Sequence, residues 1–96
     1  MKTTWIKSTG ECVDVKPENG KVFTLNELKK FVNGWIEIVP LYDDSKHTGY
    51  MVVNEEGKLY NLPQNEVATA IFNMFANRSR DVIVGDVLVC NVDEIE

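Results

Sequence analysis

The sequence predicts an α+β domain: a small mixed or mainly antiparallel sheet with two helices on one face, in the approximate order β-β-α-β-β-β-α-β. Three observations predict it. Short runs rich in Val, Ile, Thr and Trp, such as "TTWIKS", "CVDVK", "WIEIVPLY" and "DVIVGDVLVC", alternate with Gly, Pro and Asn turn signals. "TLNELKKFVNG" carries both a start and a stop signal for a helix, and "NEVATAIFNMF" carries a second apolar stripe at helical spacing. A hairpin followed by a helix and further strands also fits a β-grasp-like topology.

Taken in order, "TTWIKS" and "CVDVK" are expected to pair as a hairpin through "TG". Pro17 and Asn19-Gly20 then form a turn, because Pro presets φ and Gly tolerates positive φ. Thr24 and Glu27 make a T-x-x-E capping box, Phe23 and Leu28 occupy the hydrophobic-staple positions, and Gly34 stands where a C′ glycine ends a helix. Residues 24–33 are therefore expected to be helical. "WIEIVPLY" reads as a strand ending near Pro40, with Ile36 and Ile38 on one face and Glu37 and Val39 on the other. "DDSKHTG" reads as a polar loop.

"YMVVNEEGKLYNL" reads as a hairpin, with Asn54 opening a turn over Glu55-Glu56 and Gly57 left-handed at a bulge. Asn65 is a natural N-cap for the second helix. On its wheel Val67, Ala70, Ile71, Met74 and Phe75 form the stripe expected to be buried, leaving Asn65, Thr69 and Phe72 on the other side. "DVIVGDVLVC" closes the sheet, and Gly85 marks a bulge or a close backbone approach. The chain is expected to be a single domain over 1–96, with 92–96 a frayed acidic tail.

Composition bounds the function. With 44% hydrophobic and 26% charged residues, folding needs neither a disulfide framework nor a metal. No apolar leader or spanning segment is present, so a cytoplasmic protein without membrane contact is expected, with Cys12 and Cys90 as reduced, buried thiols. Residues 1–35 balance at +2 and residues 36–96 at −7, giving the net −5. That acidic portion argues against direct nucleic-acid binding, which draws on a basic surface, and leaves a basic protein partner or mimicry of nucleic acid open.

Motifs for chemistry are sparse. His47 is the single histidine, accompanied by Asp43 and Asp44 in a polar loop, so no metal or other cofactor is expected. The cysteines sit among valines and leucines, as core residues do, and Walker A, G-x-G-x-x-G and G-x-S-x-G patterns are absent. Glu55-Glu56 reads as a solvated turn. An enzyme is not expected.

The candidate site rests on residues that local structure leaves unexplained. Glu37 is a charge within an apolar strand, and Thr69 and Phe72 extend the Asn65 side of the second helix. Tyr60 and Gln64 enter from the preceding loop. Together Glu37, Tyr60, Gln64, Asn65, Thr69 and Phe72 are expected to form a polar groove with an aromatic wall, suited to a protein segment or a small polar ligand.

"NGWIEIVPL", "MVVNEEGKLYNLPQN" and "VIVGDVLVC" resemble the successive signatures of a domain family of unknown function, about a hundred residues long, found in bacteria, phages, plasmids and conjugative elements. The resemblance covers about two thirds of the chain. It implies a mobile-element context and no chemistry. The expected function is an accessory, non-enzymatic protein-binding module. The alternatives are an acidic DNA mimic or anti-defence inhibitor and a binder of a small polar ligand or nucleotide.

Overall fold

The computed structural model describes residues 2–95. Five strands, β1 (Thr4–Ile6), β2 (Cys12–Asp14), β3 (Ile36–Asp43), β4 (Lys46–Asn54) and β5 (Val87–Asn91), form one sheet in the order β2-β1-β5-β4-β3. Every pairing is antiparallel. Two helices, α1 (Leu25–Val32) and α2 (Glu66–Phe75), complete an α+β fold. The β-grasp expectation does not hold, because that arrangement sets its first and last strands parallel, whereas β1 and β5 run antiparallel.

The helices lie on opposite faces of the sheet, not on one. Met51, Val53, Val87 and Val89 pack with Ala68 and Phe72 of α2, while Val52, Leu88 and Cys90 pack with Leu28 and Val32 of α1. Successive strand residues point to opposite faces, so a strand covered on both sides must be apolar at every position. The unbroken runs "MVV" and "VLVC" are that signal, and they belong to the two strands beside each other at the middle of the sheet.

The α1 signals are realised as read. Thr24 Oγ1 accepts from the Glu27 amide at 3.2 Å and Glu27 Oε1 accepts from the Thr24 amide at 2.8 Å. Those bonds from the Thr24 and then the Glu18 amide hold the Glu27 carboxyl below its ordinary pKa. At the other end Asn33, not Gly34, adopts the left-handed conformation (φ 61°), and the Gly34 amide reaches back to the Lys29 carbonyl. Gly34 is needed for space, since a Cβ there would stand 2.8 Å from Asn54 Nδ2. Trp5 Nε1 donates to the Phe31 carbonyl at 3.0 Å and Asn54 Nδ2 to the Val32 carbonyl at 3.0 Å, so two of the carbonyls left over at the end of α1 are satisfied by side chains from the sheet.

β3 runs through Pro40 to Asp43, beyond the expected end. The Glu55 amide bonds the Trp35 carbonyl, which puts residues 37, 39 and 41 in hydrogen-bonding register with β4 and turns Pro40 toward the open edge, where no amide is required. The expected polar loop contracts to Asp44-Ser45, both at positive φ (50° and 66°), which is the two-residue hairpin turn compatible with strand twist. Of the thiols, Cys90 is buried and pushed up to about 12, by burial first and by the Glu94 charge second, whereas Cys12 is exposed on β2. The expectation of two buried thiols therefore fails at Cys12, since β2 is an edge strand whose outer residues meet water.

The C-terminal residues 92–95, expected to fray, form a 3-10 turn (Val92–Glu94) and a bridge from Ile95 to Phe23. Glu94 accepts from Thr3 Oγ1 and from the Asn91 amide, and the Phe23 amide donates to the Glu94 carbonyl at 2.8 Å. Residue 96 lies outside the described residues. Among those residues no helix is long and apolar enough to cross a membrane.

Candidate functional site

The segment between β4 and α2 is not the expected hairpin. Asn54 Oδ1 accepts from the Glu56 amide at 2.8 Å and starts a single helical turn. The Asn61 amide bonds the Lys58 carbonyl, the Leu62 amide bonds the Gly57 carbonyl, and Asn61 takes φ 53°. These are the two hydrogen bonds and the left-handed residue of a Schellman ending. Gly57 is not left-handed, and its role is space: a Cβ would meet Val84 Cγ2 at 2.9 Å. The strand expected at "KLYNL" is therefore absent, and the sheet has one strand fewer than the sequence suggests.

α2 is turned relative to its expected orientation. Asn65 is 0% exposed and Phe72 4%, whereas Met74 is 72% exposed and Val67 38%. The cause is the extended segment 81–85, whose backbone meets residues 63–65 in one antiparallel bridge, Gln64 to Val84, and depends on α2 side chains for its remaining bonds on that side. Asn73 exchanges two bonds with the Asp81 backbone (3.1 and 2.9 Å), and Thr69 Oγ1 exchanges two with the Ile83 backbone (3.3 and 2.9 Å). Asn65 Nδ2 donates to the Gly85 carbonyl at 2.9 Å. Four helical residues rise about 6 Å and two extended residues about 6.6 Å, so an i, i+4, i+8 polar stripe matches alternate residues of an extended chain. Buried peptide groups must find partners, and this stripe supplies them.

Asn65 does more than cap. Its Oδ1 accepts from the Ala68 amide at 3.0 Å, while Nδ2 bridges the carbonyls of Ile6 on β1 and Gly85 before β5. The residues proposed from the sequence are consequently not brought together. Asn65 and Phe72 belong to the core, and Thr69 is engaged with Ile83. Tyr60 is 64% exposed and Gln64 is exposed, but neither lines a cleft with Glu37. The expected groove fails because the wheel placed Asn65, Thr69 and Phe72 outward, and the need of segment 81–85 for hydrogen bonds turned them inward.

Glu37 does line a cleft. About 310 Å³ in volume, it lies between β3, the turn after Asn54 and segment 81–84. Its carboxylates are Glu37, Glu55, Glu56 and Asp81, against one lysine, Lys58. Lys58 bonds to Asp81 and, with the Val82 amide, holds the Asp81 carboxyl below its ordinary pKa. Arg78 Nη1 lies 3.8 Å from Glu37 Oε2 and its guanidinium 5.9 Å from the Phe72 ring. Leu59, 72% exposed, and Val82 add apolar surface to the rim.

Sequence reasoning passed over Glu55, Glu56, Leu59 and Val82 as site residues. The signal available was the run of two acids beside an unburied leucine in a segment with no alternation. Among the described residues no group of three His, Cys, Asp or Glu is placed to hold a metal ion.

No curated protein and no solved structure matches the chain significantly. Residues 1–96 match the family model described as Domain of unknown function (DUF3846), and the chain belongs to that family.

Proposed function

We propose that the domain is a non-enzymatic protein-binding module, an accessory of the mobile-element kind that the sequence resemblance implies, whose cleft takes a basic, partly apolar segment of a partner. The observation that carries this reading is the composition of the cleft: four carboxylates, of which Asp81 and Glu37 are met by Lys58 and Arg78 while Glu55 and Glu56 have no ion pair among the described residues, beside exposed Leu59 and Val82. Lysine and arginine side chains offer a charged head on an apolar stem, which suits a rim that mixes carboxylates with aliphatic groups. At about 310 Å³ the cleft sits at the bottom of the range for small-molecule pockets, which favours one or two protruding side chains over an enclosed ligand. The Cys90 thiol, buried and pushed up to about 12, is unsuited to nucleophilic work.

The test is affinity capture from a host lysate with the native chain and with a Glu37→Lys, Glu55→Lys double variant, across a salt series. Both substituted side chains are exposed, so melting should be unchanged. A partner held by the native chain, lost by the variant and released by salt agrees with the proposal. Equal capture by both chains refutes it. A captured protein whose basic surface is its nucleic-acid cleft would narrow the reading to mimicry of nucleic acid.

A further inference from the structure

β3 is an edge strand of eight residues, whereas the opposite edge, β2, has three. Residues 37, 39 and 41 bond to β4, so the amides of Ile36 and Ile38 and the carbonyls of Ile36, Ile38 and Pro40 point away from the sheet. A row of such groups is a template for another strand. In the middle of it stands Glu37, its side chain 51% exposed, and Glu37 also lines the acidic cleft. The open backbone and the carboxylates therefore adjoin at one residue.

Resting on the reading of that cleft as a seat for a basic segment, we propose that the segment binds as an added strand. It runs antiparallel to β3 along Ile36–Pro40, with a lysine or arginine opposite Glu37 and apolar residues opposite Ile36 and Ile38.

The register follows from the bonds already made. Because Glu37 bonds inward to β4, on the outer side it faces a non-hydrogen-bonded position, where opposed Cα atoms are about 4.5 Å apart and side chains are closest. A basic side chain there lies on the Glu37 face and is directed toward Glu55 and Glu56, which have no ion pair among the described residues. The Arg78 contact with Glu37, 3.8 Å between two exposed side chains, is of the weak kind that a partner's cation can replace. On the other face Ile36 and Ile38 are half-buried against the α1 cluster, and apolar partner residues beside them extend that layer. Ile36 and Ile38 each exchange two bonds with the residue opposite, while Pro40 only accepts. A second copy of the chain does not suit this edge. Its own β3 carries Glu37 and Asp43 and no lysine or arginine, and Pro40 would leave both strands short of a donor.

The probe is a short blocked peptide of alternating valine and lysine, titrated into the native chain at low salt and read by fluorescence anisotropy. With lysine opposite Glu37, antiparallel pairing turns the valine amides to β3 and the lysine amides to solvent. N-methylation of every valine should therefore weaken binding about tenfold or more, and N-methylation of every lysine less than about threefold. The Glu37→Lys, Glu55→Lys variant, titrated with the unmethylated peptide, tests the reading of the cleft. A peptide bound equally by both chains, or by neither, refutes that reading and this proposal with it. A peptide held through the carboxylates whose affinity survives methylation at valine, or falls as far on methylation at lysine, overturns the strand pairing alone and leaves the reading of the cleft standing.

Discussion

Replacing Asn65 with Asp separates two roles that look alike in sequence. At an exposed helix start Asn and Asp are equivalent N-caps, and the helix dipole favours the acid, so a pure cap would lose almost nothing. Here Asp keeps the acceptor for the Ala68 amide but loses both Nδ2 donations, leaving the Gly85 carbonyl without its side-chain partner and the Ile6 carbonyl with only its strand bond to Val87, in a site that is 0% exposed. The cost is about 1–3 kcal/mol, that of one unsatisfied buried group, before any penalty for a carboxylate facing two carbonyl oxygens. A 96-residue domain has about 5–14 kcal/mol in total. The melting temperature should fall by at least about 4 °C. The penalty should also depend on pH: burial raises the folded-state pKa of the new acid above its unfolded value, so the folded state binds more protons between the two and stability falls as pH rises through that window. Urea unfolding followed by circular dichroism at pH 5 and pH 8 measures both effects. A variant within about 1 kcal/mol of the native chain at both pH values would show that Asn65 is only a cap.

Three further outcomes follow from the same contacts. Thr69→Val keeps the side-chain shape but strands the Ile83 amide, while the Ile83 carbonyl keeps the Asn65 amide, so it should cost about 1–3 kcal/mol and speed hydrogen exchange at the Ile83 amide; native exchange there would refute the pairing. A thiol reagent should count one reactive cysteine per folded chain, Cys12, and two in denaturant, because burial pushes Cys90 up to about 12; two reactive thiols in the folded chain would contradict the core assignment. Burial pushes the Glu94 carboxyl up, but hydrogen bonds from Thr3 and Asn91 outweigh it and its pKa is lowered, so its contribution to stability is present above its ordinary value of 4.5 and lost as pH falls through the lower folded value. Glu94→Gln should flatten that acid limb of the stability curve, and an unchanged limb would count against the network.

How far the sequence could be read depended on whether a signal was local. The α1 capping box, the first hairpin and the two apolar central strands were legible because each is decided by neighbours along the chain or by the pleat. The orientation of α2 was not. Both sides of its wheel carry apolar residues, the wider apolar arc predicts the buried side, and the choice is made instead by residues 81–85, whose peptide groups need Asn65, Thr69 and Asn73. That requirement is a long-range one, and no period within residues 65–75 reports it. Likewise Pro40 ends a strand only where its position would have had to donate; on the outer side of an edge strand it does not.

The same contrast changes what the stretch from Asn54 to Asn65 means. Asn54 ties α1 to the turn, Gly57 and Gly34 make room for close neighbours, Asn61 closes the turn and Asn65 joins three segments. Each of those residues is accounted for by backbone that must be satisfied or by space that must be left. A position whose identity is already demanded by packing carries little information about a partner. The residues free to answer to one are those the fold uses least: Glu55, Glu56 and Leu59 within the stretch, and Glu37, which lines the same cleft and is held only by its exposed ion pair with Arg78. Charge reversal at Glu37 and Glu55 therefore tests function where Asn54 or Asn65 variants would test only folding, since a binding defect in the latter would accompany a loss of stability and could not be told from it.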